Sequence, residues 1–229
     1  MSISSNNLCI IPARGGSKRI PRKNIKNFLG KPIIAYSIEV ALESKLFSEV
    51  MVSTDDDEIK EIALQYGAKV PFLRTKENAD DYATLSDVIE EVKDYYLDTT
   101  KKFNNICCML PTAPFITIEL IHESYLEMLV KGFNSVRPVV RFSYPPQRGL
   151  KLVNGQVVLV NPEHAKTRSQ DLEPIYHDAG MFYWMRFDVG LKGANKGGVV
   201  VSEKIVQDID TVEDWEMAEL KYRIVHTKH

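Results

Sequence analysis

Cysteine is scarce. The chain has three among 229 residues, Cys9, Cys107 and Cys108, and two of them are adjacent, which leaves no even set for a disulfide framework. All three fall in apolar, strand-like runs, which reads as buried, reduced thiols in a reducing compartment. No segment approaches the roughly 20 apolar residues that a membrane span needs. The start, residues 1–7, has neither a basic n-region nor an apolar h-region, so it does not read as a signal peptide, and the expected location is the cytoplasm. The chain also lacks a large charge of either sign. Its 29 Lys and Arg face 31 Asp and Glu, a formal net charge of -2, so bulk charge gives no footing for nucleic acid or a membrane as partner. Internal repeats and low-complexity linkers are missing. With 44% hydrophobic and 26% charged residues, the composition is that of one well-packed domain carrying at most a small insertion.

The charge that is present is unevenly placed. Arg14, Lys18, Arg19, Arg22, Lys23, Lys26 and Lys31 cluster near the N-terminus, a local cationic patch suited to a small anionic ligand. Leu8-Cys9-Ile10-Ile11, ended by Pro12, predicts a buried strand. Pro32 is expected at the first position of a helix whose apolar stripe is Ile34, Ile38, Ala41 and Leu42. Strands are then expected at 49–53, 69–72, 106–110 and 135–140, and helices at 55–66, 85–97 and 118–131. Asp55, Asp56 and Asp57 complement a helix dipole, and Gly67 suits a C-cap.

This alternation predicts an α/β fold: a mostly parallel sheet covered on both faces by helices. Such sheets bind ligands beyond the carboxyl ends of their strands, where the basic loop 12–24 lies. The pattern changes after Arg141. Asn154-Gly155 between two apolar runs is a two-residue hairpin signal. Residues 141–180 therefore read as an inserted β-arm in an α/β domain made of 1–140 and 181–229. Strands are expected at 181–187 and 198–202, and a last helix from about Thr211, with Asp210 and Glu213 as a capping-box-like start.

Four groups of residues can carry chemistry. In Pro12-Ala13-Arg14-Gly15-Gly16-Ser17-Lys18-Arg19-Ile20-Pro21-Arg22-Lys23-Asn24, two glycines let successive N–H groups aim at one anion, and the cations add charge. The run is neither a P-loop nor a dinucleotide turn. It is an anion cradle or a solvated basic turn, and composition favours the cradle. In Asp208-Ile209-Asp210, alternate residues of an extended segment face one side, so two carboxylates can share one Mg2+ while Ile209 faces the core. The alternative, preferred on these residues alone, makes Asp210 a helix cap and Asp208 a surface residue. Arg74 with Asp80, Asp81, Thr84 and Ser86 either contacts a nucleotide or caps the next helix, with Thr84 as cap the plainer account. The fourth group is Arg168-Ser169-Gln170-Asp171 with Tyr176-His177-Asp178-Ala179-Gly180 and Phe182-Tyr183-Trp184. Arg168 can hold a substrate carboxylate and His177 with Asp178 can meet sugar hydroxyls, while at least one of the aromatics belongs in the core. His122, His164, His226 and His229 stand in no metal-ligand or base–nucleophile spacing.

Taken in order, these segments resemble the acylneuraminate cytidylyltransferase family over nearly the whole chain. The carrying motifs are the loop from Ile11 to Asn24, Val52-Ser53-Thr54-Asp55-Asp56, Arg74 before Glu77, Ala79 and Asp81, Pro111-Thr112-Ala113-Pro114, and Asp208-Ile209-Asp210-Thr211 with Glu213-Asp214. Within the family, Pro71-Phe72-Leu73-Arg74, Thr112-Ala113-Pro114-Phe115, Arg168-Ser169-Gln170-Asp171-Leu172 and His177-Asp178-Ala179-Gly180 are most similar to the pseudaminic acid branch. Leu110 stands where sialic acid members commonly carry glutamine, and Met181 where the pseudaminic branch is expected to. Both departures bear on the sugar rather than on the nucleotidyl chemistry.

The resemblance implies a Rossmann-like sheet of the nucleotidyltransferase type. It implies that CTP and an acidic nine-carbon 2-keto sugar give the CMP-sugar and pyrophosphate, with Mg2+. Arg14, Lys23 and Asp210 would be catalytic. Pro12, Ala13, Gly15, Lys18, Asn24, Arg74 and Thr84 would surround the nucleotide with Arg14 and Lys23, and Asp208 and Asp210 would hold the metal. Arg168, His177, Asp178 and Tyr183 would surround the sugar. A homodimer is implied too, its β-arm reaching toward the partner's site. Legionaminic, N-acetylneuraminic or 3-deoxy-octulosonic acid as acceptor, and a non-catalytic nucleotide-sugar-binding protein, are the alternatives. The retained carboxylate pair argues against the last.

Overall fold

Four consecutive apolar side chains cannot all point into one core from a strand. Leu8-Cys9-Ile10-Ile11 therefore needs cover on both faces of a sheet, and it has it. The computed structural model describes residues 6–227; residues 1–5, most of the segment read for a targeting signal, and 228–229, with the last histidine, lie outside the described residues. In chain order the strands are β1 (Asn7–Pro12), β2 (Asn27–Phe28), β3 (Lys31–Pro32), β4 (Glu49–Ser53), β5 (Asn105–Met109), β6 (Ser135–Arg141), β7 (Leu150–Val153), β8 (Gln156–Leu159), β9 (Tyr176–Asp178), β10 (Phe182–Arg186) and β11 (Lys196–Val201). The helices are α1 (Ile33–Glu43), α2 (Asp57–Gln65), α3 (Leu85–Leu97), α4 (Ile118–Lys131) and α5 (Val212–His226).

The main sheet has the spatial order β11-β6-β10-β5-β1-β4, with β9 also paired to β6. β1 runs parallel to β4 and β5, and β6 parallel to β11, while β10 is antiparallel to both β5 and β6. Cys9 and Ile11 join a core with Ile34 and Ile38 of α1, Ile59 of α2, Ile121 of α4 and Trp215 of α5. Leu8 and Ile10 join a second core with Ile89, Val92 and Tyr96 of α3. The three cysteines lie unpaired in these cores as expected, and burial pushes their thiols up, Cys108 to about 12. Of the aromatic run, Phe182 and Trp184 are fully buried. Asn154 and Gly155, both at positive φ (51° and 79°), turn the β7–β8 hairpin, which pairs with no other strand among the described residues.

Three local expectations are corrected. Pro32 does not open α1 from inside; it pairs with Asn27 in the β2–β3 ribbon and stands just before the first helical residue, its ψ of 137° extended. Residues 69–72 form no strand. Lys69 bridges to Met51, and Pro71 has no N–H with which to continue the ladder. The last helix is capped one residue later than read. Thr211 Oγ accepts the Asp214 N–H at 3.2 Å and Asp214 Oδ2 accepts the Thr211 N–H at 2.8 Å, which frees the Asp210 side chain. Thr84 caps α3 in the same way with Asp87, as expected.

The cap assignment has a direct consequence for stability. Thr211→Ala should cost about 1 kcal/mol in urea unfolding, and Asp210→Asn about 0.5 kcal/mol or less. Equal losses from the two would return the cap to Asp210.

Candidate active site

The loop after β1 is built by close approach to the end of β4. Ala13 N–H donates to Ser53 O at 2.9 Å, a last rung beyond the strand. Gly15 N–H then donates to Asp55 Oδ1 at 3.0 Å. A Cβ on Gly15 would lie 2.6 Å from Asp56 Oδ2, so only glycine fits there, whereas Gly16 has nothing within 4 Å. Ile20 plugs into the core at 2% exposure. Arg22, with φ of 55°, grips Asp56 through both terminal nitrogens, at 2.5 and 2.9 Å. Asn24 Nδ2 closes the loop on Arg14 O at 2.9 Å. The two-pronged hydrogen bond from Arg22 holds the Asp56 carboxyl down at about 2.

The loop cations reach in two directions. Arg14 donates to Asp80 O at 2.7 Å and pairs with Asp81 at 3.1 Å, and Lys18 also pairs with Asp81. On the other side Arg19 pairs with Asp210 at 3.0 Å. Lys23 Nζ donates to Ile209 O at 2.6 Å and lies 3.4 Å from Asp210. Between these walls lies a cleft of about 570 Å³, lined by Pro12, Arg14, Lys18, Lys23, Asn24, Arg74, Thr84, Asp208 and Asp210 among others. The structure thus brings most of the expected nucleotide and metal residues together. Gly15 and Ala13 do not line the cleft: Gly15 packs against Asp55 and Asp56, and Ala13 is fully buried. Arg74 is 7% exposed, and its guanidinium is engaged with Ser53 Oγ (3.1 Å), Ser53 O (2.6 Å) and Asn78 O (3.4 Å), so it braces the cleft wall. Thr84 both lines the cleft and caps α3.

Ile209 is fully buried while Asp208 and Asp210 reach the cleft, the alternation of an extended segment. Desolvation and the Asp210 charge raise the Asp208 carboxyl above its usual range, and among the described residues it makes no ion pair. A hard divalent cation would relieve that repulsion. Mg2+ takes one or two carboxylates and fills its remaining positions with water and substrate phosphates, which this pair beside the loop cations fits. No group of three or more His, Cys, Asp or Glu able to hold a metal occurs among the described residues, so an all-protein metal cage is not what this wall offers.

A second cleft of about 400 Å³ shares Asp208 and Asp210 and is lined by His177, Asp178 and Lys221. His177 Nδ1 lies 2.9 Å from Asp178 O, and its ring packs on Phe142 with centroids 4.8 Å apart. Asp178 accepts from Arg137 at 2.8 Å and from the Gly180 N–H at 2.9 Å. Tyr183 lies under the Arg137 guanidinium, and burial, followed by the Asp178 charge, raises its hydroxyl. Arg168 is exposed on the arm and lines neither cleft. Leu110 lines the larger cleft, but Met181 is 2% exposed in the main core. Only the first of the two departures therefore lines a cleft. Sequence reasoning gave no role to Arg19 or Arg137. Arg19 sat within a noted basic run. Arg137 shows in the sequence as an arginine set between Val136 and Pro138 in the strand Ser135–Arg141.

A family profile described as Cytidylyltransferase matches residues 8–192. Pseudaminic acid cytidylyltransferase of Campylobacter jejuni subsp. jejuni serotype O:2 is 44% identical over 227 residues, covering 96% of this chain and 97% of that protein. CMP-N,N'-diacetyllegionaminic acid synthase of Legionella pneumophila subsp. pneumophila is 36% identical, covering 93% of this chain and 94% of that protein. Among solved structures, CMP:2-keto-3-deoxy-manno-octonic acid synthetase complexed with CTP is similar with a TM-score of 0.69 at 18% identity, covering 96% of this chain and 100% of that one. That likeness is one of fold, the nucleotidyltransferase-type sheet expected from the sequence.

The Arg22–Asp56 clamp gives a pH prediction. The Asp56 carboxyl is depressed in the folded chain, so its contribution is complete above the unfolded value of about 4 and is lost as pH falls toward about 2. Screening at the partly exposed Arg22 limits it to about 1–2 kcal/mol. Asp56→Asn should therefore destabilise at pH 7 and flatten the loss of stability between about pH 4 and 2, measured by urea midpoints. Parallel pH profiles would show that the clamp contributes nothing.

Proposed function

Since the chain belongs to the cytidylyltransferase family and is a nucleotidyltransferase, we propose that it joins CTP to a free nonulosonic acid, pseudaminic acid in the first instance, giving the CMP-sugar and pyrophosphate. The observation that carries this reading is the convergence of Arg14, Lys18, Arg19 and Lys23 on a cleft whose far wall bears Asp208 and Asp210. The pseudaminic and legionaminic relatives support the acceptor class.

The anomeric hydroxyl of the sugar attacks the α-phosphorus and pyrophosphate leaves. Charge builds on phosphate oxygens, so placement and positive charge govern the barrier. Arg14 and Lys23 face that charge from the loop. The carboxylates that hold them, Asp81 and Asp210, mark the places where phosphate oxygens compete for the same donors. If Arg19 turned to phosphate, and Lys23 shared its amine with phosphate while keeping Ile209 O, Asp210 would be free to hold Mg2+ together with Asp208. A Mg2+ ion held by that pair would supply charge at the α-phosphate and acidify the attacking hydroxyl. Pro12, Ala13, Asn24, Arg74 and Thr84 shape the cytidine side, partly through backbone groups. His177, Asp178 and Tyr183 take the sugar side.

The segment 141–180 is read as a dimerisation arm on the α/β body of 1–140 and 181–229. Leu150, Leu152 and Val157 stand 63%, 78% and 63% exposed on its hairpin, apolar surface that a second copy would cover. On that reading Arg168 serves the partner's cleft. No helix among the described residues is long and apolar enough to cross a membrane, and the buried free thiols agree with a reducing cytoplasm.

Assay of CMP-sugar formation across purified acid sugars tests the function. Pseudaminic acid should be preferred, and Arg14→Ala, Lys23→Ala and Asp210→Asn should each lower kcat/KM by about 100-fold or more while remaining folded. Near-normal rates in all three would sink the assignment, as would formation of no CMP-sugar from any acceptor. Separately, sedimentation at assay concentration should show a dimer, and a Leu152→Glu change in the arm should shift it toward monomer. A monomeric unaltered chain would count against the arm's role.

A further inference from the structure

An acidic sugar brings its carboxylate to a wall that already carries Asp178, Asp208, Asp210 and Asp214. It needs a cation of its own there. The loop cations Arg14, Lys18, Arg19 and Lys23 line the nucleotide cleft. Lys221 is engaged, donating to Val206 O at 2.8 Å and Glu203 O at 3.4 Å. Arg137 stands apart from both sets. It projects from β6 on the face shared with Tyr183, its guanidinium carbon 4.8 Å from that ring's centroid, and it donates to Asp178 Oδ2 at 2.8 Å. Asp178 also accepts the Gly180 N–H, and a Cβ on Gly180 would lie 3.8 Å from the Asp208 carboxylate. A single tight turn therefore joins Arg137 to the Asp208–Asp210 wall.

We propose that Arg137 is the cation that receives the carboxylate of the acidic sugar, with Tyr183 as its aromatic support. The inference rests on the reading of the chain as a nonulosonic acid cytidylyltransferase. A planar guanidinium matches a carboxylate with two parallel N–H donors, and stacking on tyrosine fixes the plane it presents. Asp178 already shows that a carboxylate fits those donors. The exchange of one carboxylate for another leaves no buried charge unpaired, because the side chains of Arg137 and Asp178 are 28% and 34% exposed and Asp178 keeps the Gly180 N–H. The sugar ring would then lie across the start of β10, beside Asp208, with its carboxylate turned away from the acidic wall.

The test is steady-state kinetics of the full chain with the free acid and with the same sugar carrying a carboxamide in place of the carboxylate. Arg137→Ala should raise KM for the acid about 10-fold or more and leave KM for CTP within about twofold, with Arg137→Lys recovering part of the loss. The carboxamide should be a poor substrate of the unaltered enzyme and no poorer with Arg137→Ala. Arg137→Gln, which keeps a donor for Asp178, serves if the alanine variant loses its CTP-dependent thermal shift. An unchanged KM for the acid, equal losses for acid and carboxamide, or a carboxylate-dependent loss that follows Arg168→Ala instead would each overturn the assignment. Failure of the unaltered protein to use any acid sugar would overturn the functional reading itself.

Discussion

Lys23 meets Ile209 and Asp210 across 186 and 187 residues of sequence, and the geometry of the site depends on that junction. The loop that leaves β1 carries little regular structure of its own beyond the three-residue turn Lys23–Ile25. Its direction is set at one end by Gly15 against Asp55 and Asp56, and at the other by Lys23 against the segment before α5. The Lys23 amine touches both a carbonyl and a carboxylate. It thereby fixes how far the cation wall stands from the Asp208–Asp210 wall, and so the width of the cleft that a triphosphate would have to span.

These ion pairs do not hold the fold together. Arg14, Lys18 and Arg19 are 37%, 77% and 66% exposed at their side chains, where pairs contribute little to stability. Stability comes from the two cores on either face of β1, β4 and β5, which bury long aliphatic and aromatic side chains. The division has a functional sense. Cations that are strongly and internally satisfied would resist transfer to phosphate, whereas weak, solvent-screened pairs exchange easily. Arg22, by contrast, is paired tightly with Asp56 and anchors the loop independently of its neighbours' more exposed pairs.

What could be read from the sequence follows the same division. Local signals that are settled within a few residues were legible. Leu85–Leu97 and Ile118–Lys131 have the bounds expected, the first capped by Thr84 as read, and Asn154-Gly155 specifies its turn outright. Signals decided by a distant partner were not. Asp210 looks like a cap in isolation because the Thr211–Asp214 box competes for the same helix start. Arg19 and Lys23 then draw the Asp210 carboxylate toward the loop. The segment 69–72 has strand-like residues, but Pro71 ends its pairing after one bridge. Arg137 is an arginine between Val136 and Pro138, and its meaning appears only once Asp178 and Tyr183 are seen beside it. Met181 looked like a sugar-facing departure and proves to be a core residue, because its position before β10 turns it toward the main core.

The strand direction of β10 explains why the sugar half of the site is so hard to see. In a wholly parallel sheet, ligand-facing residues sit at the carboxyl ends of strands, where sequence reading looks for them. β10 is antiparallel to β5, with Phe182 opposite Met109. Its beginning, not its end, therefore lies beside the carboxyl end of β5, one strand away from β1. Asp178 lines the smaller cleft, with Tyr183 near it behind Arg137, because the chain enters the sheet there after crossing from β9 along β6. Gly180, at φ of 63°, makes that crossing and rests against Asp208. One reversed strand thus brings together the end of segment 141–180, the side chains proposed to meet the sugar, and the Asp208–Asp210 pair. The nucleotide half follows the ordinary parallel rule and was readable from one loop. The sugar half depends on the exception to it.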